Sequence, residues 1–298
     1  MQIFFVLLVL IWSTGFITGK FIVGLVDPNI YLAIRFALTG LLFLIGALLF
    51  KRSFPSFSEL PKHILAGILL NGLYLGFAYV AVANGLPAGV MALIGSLQPI
   101  LVTLLAFLIM KEKTSATGLV GMAVAIFGLY LVIGPSLHVE DHSYGIAMVS
   151  LGILAIFCLS FGSVYQKMSI SQSDIVTTMA IQNLAAAAVS CVFVFVLGER
   201  LLIVNATSLA LFAWGILVLS CGGVFLLVWL YRKVQASLVS SLLLLVPPLA
   251  AIESYFIFGE SMTWVQISGV VTTLAGVYMS RLNIKFGQAK KEPVQQSH

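Results

Sequence analysis

Three ionisable side chains sit where an oily helix should carry none. Lys20, Arg35 and Glu253 each fall inside a long apolar stretch of the chain. Burying such a charge in lipid costs at least about 2.5–3.5 kcal/mol on insertion scales, so each needs a cavity or a partner. Lys20 and Arg35 are suited to hold an anionic group such as a carboxylate. Glu253 is suited to meet an amine or to take up a proton. The bland alternative is an Arg35–Glu253 ion pair that only stabilises packing, with Lys20 reaching the outer headgroups along its methylene stem.

Other residues at similar depth would line the same space. They are Trp12 and Ser13 in the first apolar stretch, Asn71 and Tyr79 in the third and Gln98 in the fourth. Trp12 lies about nine residues in, deeper than the headgroup belt where membrane aromatics gather. Asn71 would serve equally well as hydrogen-bond glue between helices. Pro99 follows Gln98 near the middle of its stretch, and Pro247 and Pro248 sit at the matching depth of the ninth. Proline removes a backbone hydrogen bond, and the carbonyl it frees needs protein or water inside a membrane. Paired breaks at matching depth point to a binding site, against the alternative of a simple packing kink.

The elements that must position these groups follow from composition. The chain has 298 residues, of which 61% are hydrophobic and 8% charged. A soluble domain carries roughly 25% charged residues, so this composition excludes a water-soluble globule. A membrane-crossing helix takes about 20 apolar residues. The sequence divides into ten such spans, 3–26, 30–50, 63–83, 88–110, 115–134, 144–166, 175–197, 209–231, 236–258 and 264–281. The first begins at once, without a basic leader or a small-residue cleavage site, and is read as a retained span. Asp27-Pro28-Asn29, Asn84-Gly85-Leu86-Pro87 and the polar stretch from Pro135 through His138, Glu140, Asp141 and His142 mark breaks.

Charge placement fixes an orientation. Lys51, Arg52, Lys62, Lys111, Lys113, Lys167, Arg232, Lys233, Arg281, Lys285, Lys290 and Lys291 all lie in or beside even-numbered connections or the C-terminal tail. Arg200 alone lies in an odd-numbered one. Lys and Arg accumulate in cytoplasmic loops, so both termini are expected in the cytoplasm of a multi-pass protein of the cell's inner membrane. The net charge of +5 is then an orientation signal and gives no reason to expect a nucleic-acid partner. The tail, 282–298, is expected to be disordered.

The two halves resemble each other. Residues 88–132 overlay 236–280 at an offset of 148, matching Pro99 to Pro247, Glu112 to Glu260, Gly121 to Gly269, Gly128 to Gly276 and Tyr130 to Tyr278. Nearer the start of each half the offset is 147, matching Ser13, Gly15, Lys20 and Asp27 to Ser160, Gly162, Lys167 and Asp174. Five spans per half is an odd number, so the second half enters the membrane from the opposite side. The expected fold is therefore an all-α integral membrane protein of ten transmembrane helices in two inverted five-helix repeats, 1–134 and 144–281, with a cytoplasmic tail at 282–298. In such folds the substrate site lies near the midplane between the repeats. Arg35 maps onto Gln182, beside Asn183, so the second half keeps a polar group there but loses the guanidinium with its five donors.

Several signals are missing. No phosphate-binding loop, no HExxH and no spaced His or Cys set occurs, and Cys158, Cys191 and Cys221 read as packing residues. No cofactor, no metal and no enzymatic activity are expected. The Asn205-Ala206-Thr207 triplet falls on the outer side and reads as a chance sequon.

These residues resemble the drug/metabolite transporter superfamily, EamA type. The likeness covers about 3–281. It is carried by Trp12-Ser13-Thr14-Gly15-Phe16 with Lys20, by Arg35-Phe36, by the stretch from Val246 to Glu260 and by Gly269 and Gly276. The resemblance implies ten helices in two inverted halves around a central cavity. It implies secondary transport of small metabolites by alternating access, often export of amino acids or related compounds. Two departures stand out. Met110-Lys111-Glu112 replaces a usual Gly-Glu, and Glu253 stands where a neutral residue is more usual. The expected substrate-binding set is Trp12, Ser13, Lys20, Arg35, Asn71, Tyr79, Gln98, Pro99, Gln182, Pro247 and Glu253. The expected partners are a small polar or zwitterionic substrate and membrane lipid, with a coupling proton or ion and a monomer or homodimer left open. Import of a vitamin or nucleobase-type metabolite is the rival within transport. A non-transporting membrane sensor or assembly protein is the rival outside it.

Overall fold

The computed structural model describes residues 2–110, 116–137, 145–170, 173–224, 226, 227, 230, 243, 245–260 and 262–288. Among them the chain is helical apart from turns, short irregular loops and one isolated antiparallel bridge, Val26 to Leu202. The helices are α1 (Gln2–Phe21), α2 (Pro28–Leu49), α3 (Leu60–Ala83), α4 (Ala88–Gly95), α5 (Gln98–Met110), α6 (Ala116–Leu137), α7 (Gly145–Ser169), α8 (Ile175–Leu197), α9 (Ala206–Gly222), α10 (Val246–Phe258) and α11 (Trp264–Gln288). Five of them, α1, α2, α3, α7 and α8, are long and apolar enough to cross a bilayer.

Polarity is distributed as lipid requires. Phe195 and Phe256 lie bare on the outer surface, 88% and 78% exposed. Ser13, Thr39, Ser160, Ser190 and Thr273 are fully buried. Helices in a bilayer gain little from mutual hydrophobicity, so small residues that permit close approach decide their packing. The two most extensive helix pairs, α6 with α11 and α2 with α8, show this. A Cβ on Gly128 would collide with the backbone nitrogen of Thr273 and approach Gly269 O to 2.8 Å. A Cβ on Gly276 would collide with Ala125 N and approach Gly121 O to 2.7 Å. The two contacts are reciprocal: each glycine pair meets the other at equivalent positions. Between α2 and α8, a Cβ on Gly40 would come within 2.8 Å of Leu184.

The ends of α2 and α8 are held by acids from this same pattern. Asp174 precedes α8 and accepts from the backbone N–H of Val176 at 2.8 Å, an N-cap that binds otherwise orphaned donors. Arg52 lies 3.8 Å from its carboxylate. Asp27, its repeat counterpart, accepts from the backbone N–H groups of Arg200 and Leu201 at 2.7 and 2.8 Å. The start of α2 is capped instead by Glu199, which accepts from Asn29 N and Ile30 N at 2.8 and 3.1 Å. A carboxylate there also meets the positive end of the helix dipole.

Several span boundaries differ from expectation. The first span, expected to reach 26, ends at Phe21. Gly24 there adopts φ +80°, and Leu25, Val26 and Asp27 pair with 201–203, which pulls the chain out of the helix. The fourth span is two helices, α4 and α5, separated at Ser96 and Leu97 by N–H bonds that reach back only three residues. The last helix runs to Gln288, so 282–288 extends it where disorder was expected. Residues 289–298, the loop carrying Lys111, Glu112 and Lys113, the stretch from His138 to His142, and Arg232 and Lys233 lie outside the described residues.

Candidate functional site

Helix α1 is the seam of the molecule. It packs against α3 and α4 from the first half and α9 and α10 from the second. Two polar clusters lie along it.

The first surrounds Arg35. Its side chain is buried at 7% exposure, yet among the described residues no carboxylate comes within ion-pair distance. Its Nε donates to Ser220 Oγ at 3.0 Å, and Nη1 donates weakly to Tyr79 Oη at 3.4 Å. A guanidinium carries five N–H donors, so two are engaged. Tyr79 in turn donates to the Gly15 carbonyl of α1 at 2.8 Å. Its ring stacks on Tyr31, whose hydroxyl donates to Leu211 O at 2.9 Å. The Arg35 guanidinium also lies 5.8 Å from the Phe36 ring centre.

The local backbone explains this placement. The later turns of α9, Trp214–Gly222, wind as a π-helix, which widens the turn and re-aims Ser220. Gly215 opens the path: a Cβ there would overlap the Tyr31 hydroxyl and lie 3.2 Å from Arg35 Cδ. A second π-helical segment occupies Ile68–Leu73 of α3. The repeat offset of 147 carries 68–73 onto 215–220, inside the first one, so both halves are distorted at one matching place.

The second cluster joins α1 to α10. Ser13 Oγ lies 2.8 Å from Glu253 Oε1, and Glu253 Oε2 is buried without a partner. At the C-terminal end of both helices Lys20 Nζ lies 3.2 Å from Glu260 Oε1 and 6.0 Å from the Phe258 ring centre. Ser254 donates to the other oxygen of Glu260 in a short contact. Trp214 of α9 donates its indole N–H to Thr14 Oγ1 at 3.1 Å.

The expected site residues therefore separate into groups. Arg35 and Tyr79 are together, and Ser13 and Glu253 are together. Arg35 does not pair with Glu253, because the guanidinium turns toward α9 and α3 while the carboxylate turns toward α1. Lys20 does not join Arg35 and does not end free at the headgroups, because α1 stops one residue later and Glu260 takes the ammonium. Trp12 is 37% exposed, with its indole nitrogen 3.3 Å from where a Gly223 Cβ would be. Asn71 is half-buried in the π segment, with no side-chain hydrogen bond among the described residues. Gln98 is half-buried and opens α5, its carbonyl at 3.5 Å from Ser160 Oγ. Pro99 and Pro247 both fall in the first turn of their helices, where a missing N–H costs nothing. Gln182 lies elsewhere: it is buried and donates to Gln166 Oε1 at 2.9 Å, against Gly67 of α3.

Sequence reasoning missed Ser220, Tyr31 and the Lys20–Glu260 pair. Glu260 had a signal, its place in the Gly-Glu turn at the end of α10. Ser220 had none, since only the π-helical winding of α9 turns it toward Arg35.

An apolar outer face, membrane-length helices and buried polar clusters along one central helix define a multi-pass membrane protein with an internal polar site. Comparison with known proteins places it within that class. The EamA-like transporter family matches residues 1–134 and again residues 146–282. The chain belongs to this family of membrane transporters. Among its relatives, a "Probable amino-acid metabolite efflux pump" of Escherichia coli K12 is 26% identical, covering 96% of each chain. A protein of Salmonella typhimurium LT2 with the same description is 24% identical, covering 92% of each. A solved structure titled only "Crystal structure of protein" superposes with a TM-score of 0.62 at 18% identity, covering 95% of this chain and 98% of that one. The fold is thus one already seen in a crystal.

Proposed function

We propose that this chain is a secondary transporter that moves a small polar or zwitterionic metabolite, an amino acid or a close relative, out of the cell by alternating access. Its halves, 1–134 and 144–281, are inverted five-helix repeats in the inner membrane, with both termini in the cytoplasm. The reciprocal glycine contacts of α6 with α11, the π segments at matching places and the double family match support that architecture. The charge bias of the even-numbered connections supports the orientation. Efflux of amino-acid metabolites is the activity in the relatives' names.

One observation carries the proposal: a buried guanidinium that no carboxylate of the described chain neutralises, held at the seam of the two halves. An unpaired buried cation is costly unless an anion or water visits it. A substrate carboxylate fits the guanidinium fork in two parallel hydrogen bonds. A transporter needs such a site to bind differently in its two states, since only differential affinity shifts an equilibrium. The test is exchange in proteoliposomes. Vesicles holding the purified chain and one unlabelled L-amino acid should take up the labelled form faster than protein-free vesicles, and methyl esterification of the amino acid should abolish the effect. Equal exchange of ester and free acid would remove Arg35 as the anion site.

A further inference from the structure

We infer that the Ser13–Glu253 pair is a proton-loading site, and that its occupancy is coupled to substrate movement. This rests on the transport reading but adds a residue and a co-substrate to it.

The geometry starts with one hydrogen. Ser13 Oγ is 2.8 Å from Glu253 Oε1 and 2.9 Å from the Leu10 carbonyl of its own helix. A serine hydroxyl has a single hydrogen and cannot donate fully to both. With Glu253 ionised, the hydroxyl donates to Oε1. With Glu253 protonated, the hydroxyl rotates its hydrogen to Leu10 O and accepts the acid's O–H instead. Both states use the same heavy-atom positions, so the carboxylate gains one proton and loses one charge without rearranging α1 or α10. Oε2 is buried and unpartnered, and among the described residues no cation pairs with the carboxylate.

Among the described residues, the charged and titratable neighbours leave the site to itself, and Tyr255, two residues further along α10, is exposed. On α1 Lys20 is engaged by Glu260, seven residues beyond Glu253. Helix α4, packed on α10, carries no titratable side chain. Helix α9 carries only Cys221, and α3 brings Tyr74 and Tyr79, with Lys62 and His63 at its opposite end. Arg35 reaches this region only through Tyr79. The repeat sharpens the point: the offsets map Ser13 to Ser160 and Glu253 to Leu105, and Ser160 Oγ donates to Ile156 O at 2.7 Å. The mirror-related pair, Ser160 of the second half with Leu105 of the first, keeps the serine and lacks the acid, so the acid stands at only one of the two equivalent places.

The balance is simple. One proton from water adds to the Glu253 carboxylate on one side of the membrane and returns to water on the other, while substrate moves the opposite way. No other bond forms or breaks.

Two measurements decide it. The first uses the proton itself as probe: infrared difference spectra of the purified chain between alkaline and acidic pH. The wild type and Glu260→Gln should show a protonated-carboxyl band that Glu253→Gln lacks and Glu253→Asp shifts. A band unchanged in both Glu253 variants overturns the proposal. The second uses proteoliposomes, an imposed pH gradient and each proteinogenic L-amino acid in turn. The wild type should concentrate at least one of them, and Glu253→Gln should lose at least tenfold of the gradient-driven component. Wild-type exchange that ignores the gradient overturns the coupling. If no amino acid moves at all, the transport reading fails instead, and the infrared band still decides the proton site.

Discussion

Replacing Arg35 by Gln removes the charge and the planar fork while keeping a polar side chain in the space beside Ser220. A charge-assisted hydrogen bond is worth about 1.5–3 kcal/mol. At 1.4 kcal/mol per factor of ten, losing one such net interaction weakens substrate affinity by about 10- to 150-fold. Arg35→Lys should fall between, because an ammonium keeps the charge but gives up the Nε donor that anchors the group to Ser220 at 3.0 Å. Tyr79→Phe is the contrasting case. Its contact with Arg35 is long, 3.4 Å, whereas its bond to Gly15 O is short, 2.8 Å. It should cost about 1 kcal/mol of stability and less than about threefold in affinity. The assay is the concentration dependence of exchange in proteoliposomes, with thermal melting of the same preparations. A folded Arg35→Gln protein whose affinity stays within about twofold of wild type refutes the reasoning and leaves Arg35 a packing residue.

Other substitutions test the supports. Gly215→Ala keeps the Arg35 side chain but drives a Cβ into the Tyr31 hydroxyl and to 3.2 Å from Arg35 Cδ, so the guanidinium is displaced and exchange should fall at least about tenfold, within the roughly hundredfold loss that a misplacement of about 1 Å can bring. Gly276→Ala should cost about 3 kcal/mol, the upper part of the overpacking range, because the obstructing atoms are the backbone of α6; Gly46→Ala, which meets nothing within 4 Å, should leave thermal melting unchanged or slightly raised. Lys20→Met and Glu260→Gln should be non-additive in a double-mutant cycle on melting, with a coupling of about 1 kcal/mol. Additive effects there would mean the pair contributes nothing.

How far the sequence could be read depended on whether the deciding contact was local. Helix α8 runs from Ile175 to Leu197 as expected, because Asp174 caps its start and Gly198, at φ +67°, ends it. Both signals sit within a residue of the boundary. The end of α1 was misplaced because the force that unwinds it is the pairing of Leu25 and Asp27 with a loop about 175 residues away. The polar depth of Arg35 and Tyr79 was legible, since charge in an apolar run is conspicuous. Their partner Ser220 was not, since π-helical winding leaves no pattern in residue type. Arg35 with Glu253 looked like a natural ion pair by depth alone. Depth says nothing about azimuth, and the two side chains leave their helices in different directions. The prolines marked real helix starts, though the distortion nearest Arg35 turned out to be a wide turn without proline.

The most direct test of the whole account is counterflow by the purified chain. Vesicles preloaded with unlabelled L-amino acid and placed in trace label should transiently accumulate label above the outside concentration. The overshoot should vanish in Arg35→Gln. Label that enters no faster than into protein-free vesicles, across every amino acid tried, would contradict the central claim that this seam binds and carries a carboxylate-bearing metabolite.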